Sequence, residues 1–152
     1  MTYAPRILNE TGDYDGVRTA AGLNTRQLSD TAILSASLLP AVESKAIIAI
    51  PGYASLSSDY KNLLRSAVTK IVAARAILSL PESEKSLDYD VTRKRDEQVK
   101  ILLDEAAIEI ADIPGSGDDV DLPDILRVSG PTRTKKLTTG TYGWIYESSV
   151  LQ

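Results

Sequence analysis

The chain contains no cysteine and no histidine. Together these absences remove thiol nucleophiles, disulfides, Cys/His zinc sites, imidazole bases and the Ser-His-Asp triad. Any chemistry is left to carboxylates, Lys, Tyr or Ser, and the expectation is that the protein is not an enzyme. Phenylalanine is also missing, so one Trp and seven Tyr make up the whole aromatic complement of 152 residues. Long apolar runs are absent: the best, Ala46 to Ile50, is five residues, against the ~20 that a membrane-spanning helix needs. The opening "MTYAPRILNE" lacks the apolar centre of a signal peptide, which gives the expectation of a chain that is cytosolic at birth and has no membrane partner. A basic excess is absent as well. The net charge of −4 argues against a nucleic-acid binder, which gathers Lys and Arg on one face.

What is present fits one helical domain. The length allows a real core, and 43% apolar with 25% charged residues is ordinary for a folded chain. Residues 1–28 read as a mixed N-terminal segment with a short helical turn around Val17 to Ala21, stopped by Gly22. Ser29 or Asp30 then caps a brief helix in "DTAILSAS". Pro40 restricts Leu39, so a second helix starts there with Pro40 in its first turn, and Pro51-Gly52 ends it after Ile50.

The strongest periodicity follows. Tyr60, Leu63, Leu64, Ala67, Val68, Ile71 and Ala74 recur at steps of three and four, and Ile77 and Leu78 extend the stripe. This predicts one buried face of a long helix, capped by Ser57 or Ser58 and ended before Pro81. Lys61, Asn62, Arg65, Ser66, Thr69 and Lys70 take the other side. Another helix is predicted from Asp88–Val91 to about Asp112, with Val99, Leu102, Leu103, Ala106, Ile110 and Ile113 inward. Ile101 and Ile108 fall off that stripe and hint at a second surface to cover.

Beyond Ile113 the composition shifts. "PGSGDDVDLPD" reads as an acidic linker, and the remainder, rich in Thr, Val, Ile and aromatics, as extended segments around Ile125 to Val128 and Tyr142 to Tyr146. The fold class expected is mainly α: a small bundle of about four helices over residues 29–113, with an extended, partly β C-terminal arm over 114–152.

Motifs that carry chemistry are few. Ser58-Asp59-Tyr60-Lys61 matches S-x-x-K, but the S-D-N and K-T-G elements that complete such a site are missing, and a helix cap explains Ser58 better. Asp112, Asp118, Asp119, Asp121 and Asp124 lack the D-x-D-x-D-G frame and closing Glu of a Ca²⁺ loop, so an acidic solvated linker is favoured. "TRKR" at 92–95 and Lys135-Lys136 read as solvated basic groups. Gly115-Ser116-Gly117 follows a helix rather than a strand, so no phosphate-cradling loop is supported. No metal or cofactor is predicted.

Tyr142, Trp144 and Tyr146 stand apart. At alternate positions of a strand their rings share one face, and covering them contributes on the order of several kcal/mol. A lone strand also leaves backbone groups unpaired. Tyr142, Trp144 and Tyr146, with Ile145 and Leu137, are therefore the candidate protein-interface residues, docking on a neighbour in preference to the chain's own bundle.

The stretch "LSDTAILSASLLPAVESKAIIAIPGYASLSSDYKNLLRSAVTKIVAARAILSLP", Leu28 to Pro81, resembles the small helical head–tail connector, or adaptor, proteins of tailed bacteriophages. The likeness lies in an L-S-D start with a short helix, then a helix with an Ala/Glu-containing face. An Ile-Pro-Gly break and a long Ala-rich helix ending at Pro follow. Val91 to Ile113 matches the closing helix of the family more loosely. The resemblance implies a structural virion protein at the head–tail neck, assembled from host cytoplasm into a homo-oligomeric ring, usually of twelve copies. It implies as partners the portal protein on one side and a tail or neck protein on the other. DNA would pass through the channel without sequence-specific binding. The longer N-terminal segment and the arm after Ile113 depart from the shortest members. A different reading of the same residues is a non-enzymatic scaffold module whose arm recognises a protein partner.

Overall fold

The computed structural model describes residues 3–80 and 89–115. Among them are five α-helices: α1 Asp13–Ala21, α2 Asp30–Ile33, α3 Leu39–Ala49, α4 Ser58–Leu78 and α5 Tyr89–Ala111. One turn of 3-10 helix, Tyr53–Ser55, joins α3 to α4. No strand occurs among the described residues, so the mainly helical class expected from sequence is what is found. Of the arm expected over 114–152, all but Pro114 and Gly115 lies outside the described residues, Leu137, Tyr142, Trp144, Ile145 and Tyr146 included.

Local chemistry sets most helix ends. α1 begins a turn earlier than the sequence suggested and stops at Gly22, whose φ of 66° lies in the left-handed region. Gly22 N–H donates to Thr19 O and Leu23 N–H to Arg18 O, the paired bonds of a Schellman turn, which closes orphan carbonyls where a side chain would be strained. Ser29 caps α2, its hydroxyl accepting from Ala32 N–H at 3.2 Å. Pro40 lies in the first turn of α3, where its missing N–H costs nothing. At α4, Ser57 takes the cap position with an extended backbone but makes no side-chain capping bond, and Ser58 is the first helical residue. The expected serine cap is thus one of position only.

α4 is the central helix, packed against α1, α3 and α5. The sequence suggested one buried face. Instead Ile71, Val72, Ala73 and Ala74 are all fully buried, because neighbours surround the second half of the helix and its alanines let them approach closely. Leu78, placed on the stripe from sequence, is 41% exposed at the end of the helix. Leu8, Ile33, Leu39, Ile50, Leu64, Ile71, Ile110 and Ile113 are the large side chains of the core, each worth about 1.5–3 kcal/mol on burial. The N-terminal segment adds Ile7, Leu8, Val17, Ala21 and Leu28 to the same cluster.

Polar ties brace this packing. Arg65 on α4 pairs with Glu10 and, at 2.7 Å, with Asp13 at the start of α1. Gln98 on α5 donates to Ala20 O at 2.8 Å, satisfying a carbonyl at the C-terminal end of α1. Lys70 on α4 pairs with Glu109 at 2.6 Å and Glu105 at 3.1 Å on α5. No helix among the described residues is long and apolar enough to cross a membrane.

Candidate interaction site

A buried carboxylate organises the N-terminal side of the bundle. Leu39, Val42, Ala46 and Ile50 form the inward stripe at α3, and Glu43 falls in the middle of it with no exposed surface. A carboxylate taken out of water needs strong compensation. Glu43 receives it from residues 3–8, which have no helix or strand to satisfy their amides. Oε1 accepts from Ile7 N–H and Leu8 N–H, both at 2.9 Å. Oε2 accepts from Arg6 N–H at 2.9 Å and from the Tyr3 hydroxyl at 2.7 Å. Three successive amides aimed at one anion form a nest, and each bond is charge-assisted. Burial and the Glu43 partner push the Tyr3 phenol well above its ordinary range. With all four donors supplied by the chain, this carboxylate fastens the N-terminal segment.

The sequence reading did not single out Glu43. The signal was available: an acid at a core position of an i, i+3, i+4 stripe is either paired or misplaced.

Arg18 is the other buried charged side chain among the described residues. Its Nε donates to Leu28 O at 2.8 Å, one terminal nitrogen to Asp15 at 2.7 Å and the other to Asp30. Burial works to lower its pKa, but the bonds to Asp30 and Asp15 outweigh it and the net shift is upward. A cleft of about 410 Å³ opens here, lined by Tyr14, Asp15, Arg18 and Asp30 among others. Because the guanidinium fork is already engaged by two carboxylates and a carbonyl, the cleft offers no spare cation to an anionic ligand.

The residues marked from sequence are scattered. Ser58 and Lys61 are both exposed at the start of α4. Asp112 is exposed beyond the end of α5, and Asp118, Asp119, Asp121 and Asp124 lie outside the described residues. Arg93 of the "TRKR" group pairs with Glu97 at 3.0 Å. No group of His, Cys, Asp or Glu among the described residues is placed to hold a metal ion.

A few large apolar side chains also stay outward. Ile101 and Ile108, read as lying off the buried stripe, are 56% and 53% exposed on α5, and Ile48 on α3 is 77% exposed. Seven residues apart, Ile101 and Ile108 share one face. It lies opposite Val99, Leu102, Ala106 and Ile110, which are buried. Around the two isoleucines stand Lys94, Glu97, Asp104, Glu105 and Asp112, all exposed, with Glu97 paired to Arg93 and Glu105 to Lys70. This face, with its two exposed isoleucines at the centre of a charged surround, is the candidate interaction surface of the described body. No protein-family model matches the chain, and neither a curated protein nor a solved structure does.

Proposed function

We propose that the chain is a structural virion protein, a head-to-tail connector that assembles into a ring between portal and tail and leaves a channel for DNA. The observation that carries this reading is the order of breaks and helices in Leu28–Pro81. A short α2 is capped by Ser29, α3 is opened by Pro40 and closed before Pro51-Gly52, and a long Ala-rich α4 runs to Leu78. The resemblance to the connector family rests on that order. Support of a second kind comes from surface. A ring subunit commits faces to two neighbours and to the layers above and below, and Ile48, Ile101 and Ile108 stand outward on two helices, where apolar side chains mark sites that a partner covers. In this reading Tyr142, Trp144, Tyr146, Ile145 and Leu137 dock on a neighbouring subunit, the portal or the tail.

The test is assembly. The full chain, alone and mixed with portal rings, is examined by mass photometry and electron microscopy. Rings with an open centre, lost in the variant carrying Trp144→Ala and Tyr146→Ala, are the expected result. A chain that stays monomeric alone and with portals overturns the reading, and favours the scaffold module that recognises some other protein through its arm.

A further inference from the structure

The charges around Ile101 and Ile108 are unevenly engaged. Glu97 is paired with Arg93 on the same helix. Glu105 and Glu109 are both tied to Lys70 of α4, and Lys100 has a partner of its own. Arg95 and Asp96 are turned about 120–140° away from Ile101. Lys94, Asp104 and Asp112 are exposed on the face and make no ion pair among the described residues. Lys94 stands seven positions before Ile101 and Asp112 four after Ile108. Both lie about 20° round the helix from Ile101, so they mark opposite ends of the face on one side of it. We propose that two copies of the chain pair through this face, α5 against α5, antiparallel about a two-fold axis. Ile101 of each copy meets Ile108 of the other, and Lys94 of each lies over Asp112 of the other.

Charge selects this direction. Matching Ile101 with Ile108 of the other copy puts the axis between Asp104 and Glu105. Lys94 then lies about 16 Å to one side of the axis and Asp112 about 11 Å to the other. The two-fold therefore brings each lysine within about 5 Å of its aspartate along the helix, a gap that the lysine side chain spans. Glu97, the other acid near that aspartate, is held by Arg93. A parallel pair would instead set Lys94 on Lys94 and Asp112 on Asp112, and would align the two helix dipoles. One contact opposes the pairing: Asp104 sits beside the axis, against its own equivalent. Two opposite-charge contacts outweigh that single like-charge one. Ile48 on α3 has no such surround, since no acid lies within a turn of it on its helix. Four half-exposed isoleucines cover far less than a standard interface, so the pair is weak, with a dissociation constant of about 10–1000 µM. A two-fold contact closes on itself, and association stops at two copies.

The pairing is independent of the virion reading, and the two fail on different measurements: rings are sought with portals, the dimer without them. Sedimentation velocity of the full chain at low salt, over a concentration series that brackets the expected constant, is to show monomer passing to dimer and nothing larger. Ile101→Lys with Ile108→Lys is expected to hold the chain monomeric throughout, with its far-ultraviolet circular dichroism retained. Ile48→Lys is expected to leave the dimer unchanged, and so is Trp144→Ala with Tyr146→Ala, the variant that removes rings in the virion reading. Lys94→Glu and Asp112→Lys are each expected to weaken the dimer about three- to tenfold. Combined, they exchange the two charges and restore it. Asp104→Asn removes the like-charge contact at the axis and is expected to tighten the dimer about two- to threefold. Monomer at every concentration overturns the proposal. So does a dimer that survives the isoleucine variant, and so does growth beyond two copies, which assigns the face to a head-to-tail contact. Should the isoleucine variant unfold, the charge series decides: single losses that the combined variant fails to recover overturn the pairing.

Discussion

Glu43 and Ile7, thirty-six positions apart, meet in a 2.9 Å hydrogen bond from the Ile7 amide to Oε1 of the carboxylate. Leu8, Arg6 and Tyr3 complete the set of donors on the same two oxygens. The contact joins two requirements that neither segment meets alone. An acid in the apolar stripe of α3 needs donors, and an irregular N-terminal segment whose Ile7 and Leu8 side chains enter the core needs acceptors for its amides. Burial of Ile7 and Leu8 thus depends on a charge two helices away in sequence.

Glu43→Gln tests this at nearly constant shape. The amide retains one acceptor oxygen and replaces the other with a donor, which then faces two of the four donors. Each buried donor left without a partner costs about 1–3 kcal/mol, so a loss of about 2–5 kcal/mol in stability is expected. Urea denaturation followed by circular dichroism measures it. A loss within the error of the measurement means that residues 3–8 are held by apolar contact alone.

The Tyr3 phenol gives a pH dependence whose sign is fixed. Burial, with the hydrogen bond to Glu43 and its charge, raises the pKa above the ordinary 10.0. The folded state therefore keeps its proton where the unfolded chain has lost it, and the stabilisation is complete below pH 10 and falls as the pH rises beyond. Lys70, whose pKa is also raised, by hydrogen bonds to Glu109 and Glu105 that outweigh the effect of burial, contributes with the same sign above 10.5. Tyr3→Phe removes the tyrosine's share alone. The variant is expected to be less stable at pH 7 by about 1–2 kcal/mol and to lose stability less steeply between pH 9 and 11 than the unaltered chain, as denaturant melts across that range would show.

How far the sequence foretold this structure depends on the kind of signal. Proline, glycine and serine placed the breaks at Gly22, Ser29, Pro40 and Pro51-Gly52, because backbone chemistry at those positions is local. Periodicity found the inward side of α5 and set Ile101 and Ile108 apart from it. It fell short at α4, where burial of Val72 and Ala73 depends on how many neighbours surround the helix, a tertiary property that alanine-rich sequence leaves open. The Glu43 anchor is long-range, and its partners are backbone amides, which have no letter in the sequence. Arg65, Ser66 and Lys70 read from sequence only as the side opposite the stripe, and each is half-buried and engaged with α1 or α5. Polar periodicity marks a face without saying whether water or another helix meets it.

The two sides of α5 supply a paired comparison. Ile110 is 1% exposed and Ile108 is 53% exposed, two positions apart on one helix. Ile110→Ala removes core contacts and leaves a cavity, for an expected loss of about 2–5 kcal/mol. Ile108→Ala is expected to stay within about 1 kcal/mol, the range of surface changes and of partial cover. Thermal melts of the two variants side by side decide whether the helix faces the core as described, and equal losses would contradict that orientation.

Lys70 and Glu109 form a polar contact between α4 and α5, and their coupling has a sign that separate substitutions do not reveal. Glu109 Oε1 accepts from Lys70 Nζ at 2.6 Å and from Ser66 Oγ at 2.8 Å, while Oε2 is buried without a hydrogen bond. Both side chains are about a fifth exposed, so solvent screens the pair only in part. Lys70→Met strands the carboxylate against α4, for an expected loss of about 1–3 kcal/mol, less than a fully buried pair would show. Glu109→Leu strands the ammonium less severely, since Glu105 remains at 3.1 Å. The double variant replaces the pair with apolar side chains of similar length and is expected to recover most of the loss, because the one carboxylate left without Lys70, that of Glu105, is half exposed to water. A double-mutant cycle by urea denaturation reads the coupling directly. Additive losses would mean that water, rather than each partner, already satisfies both groups.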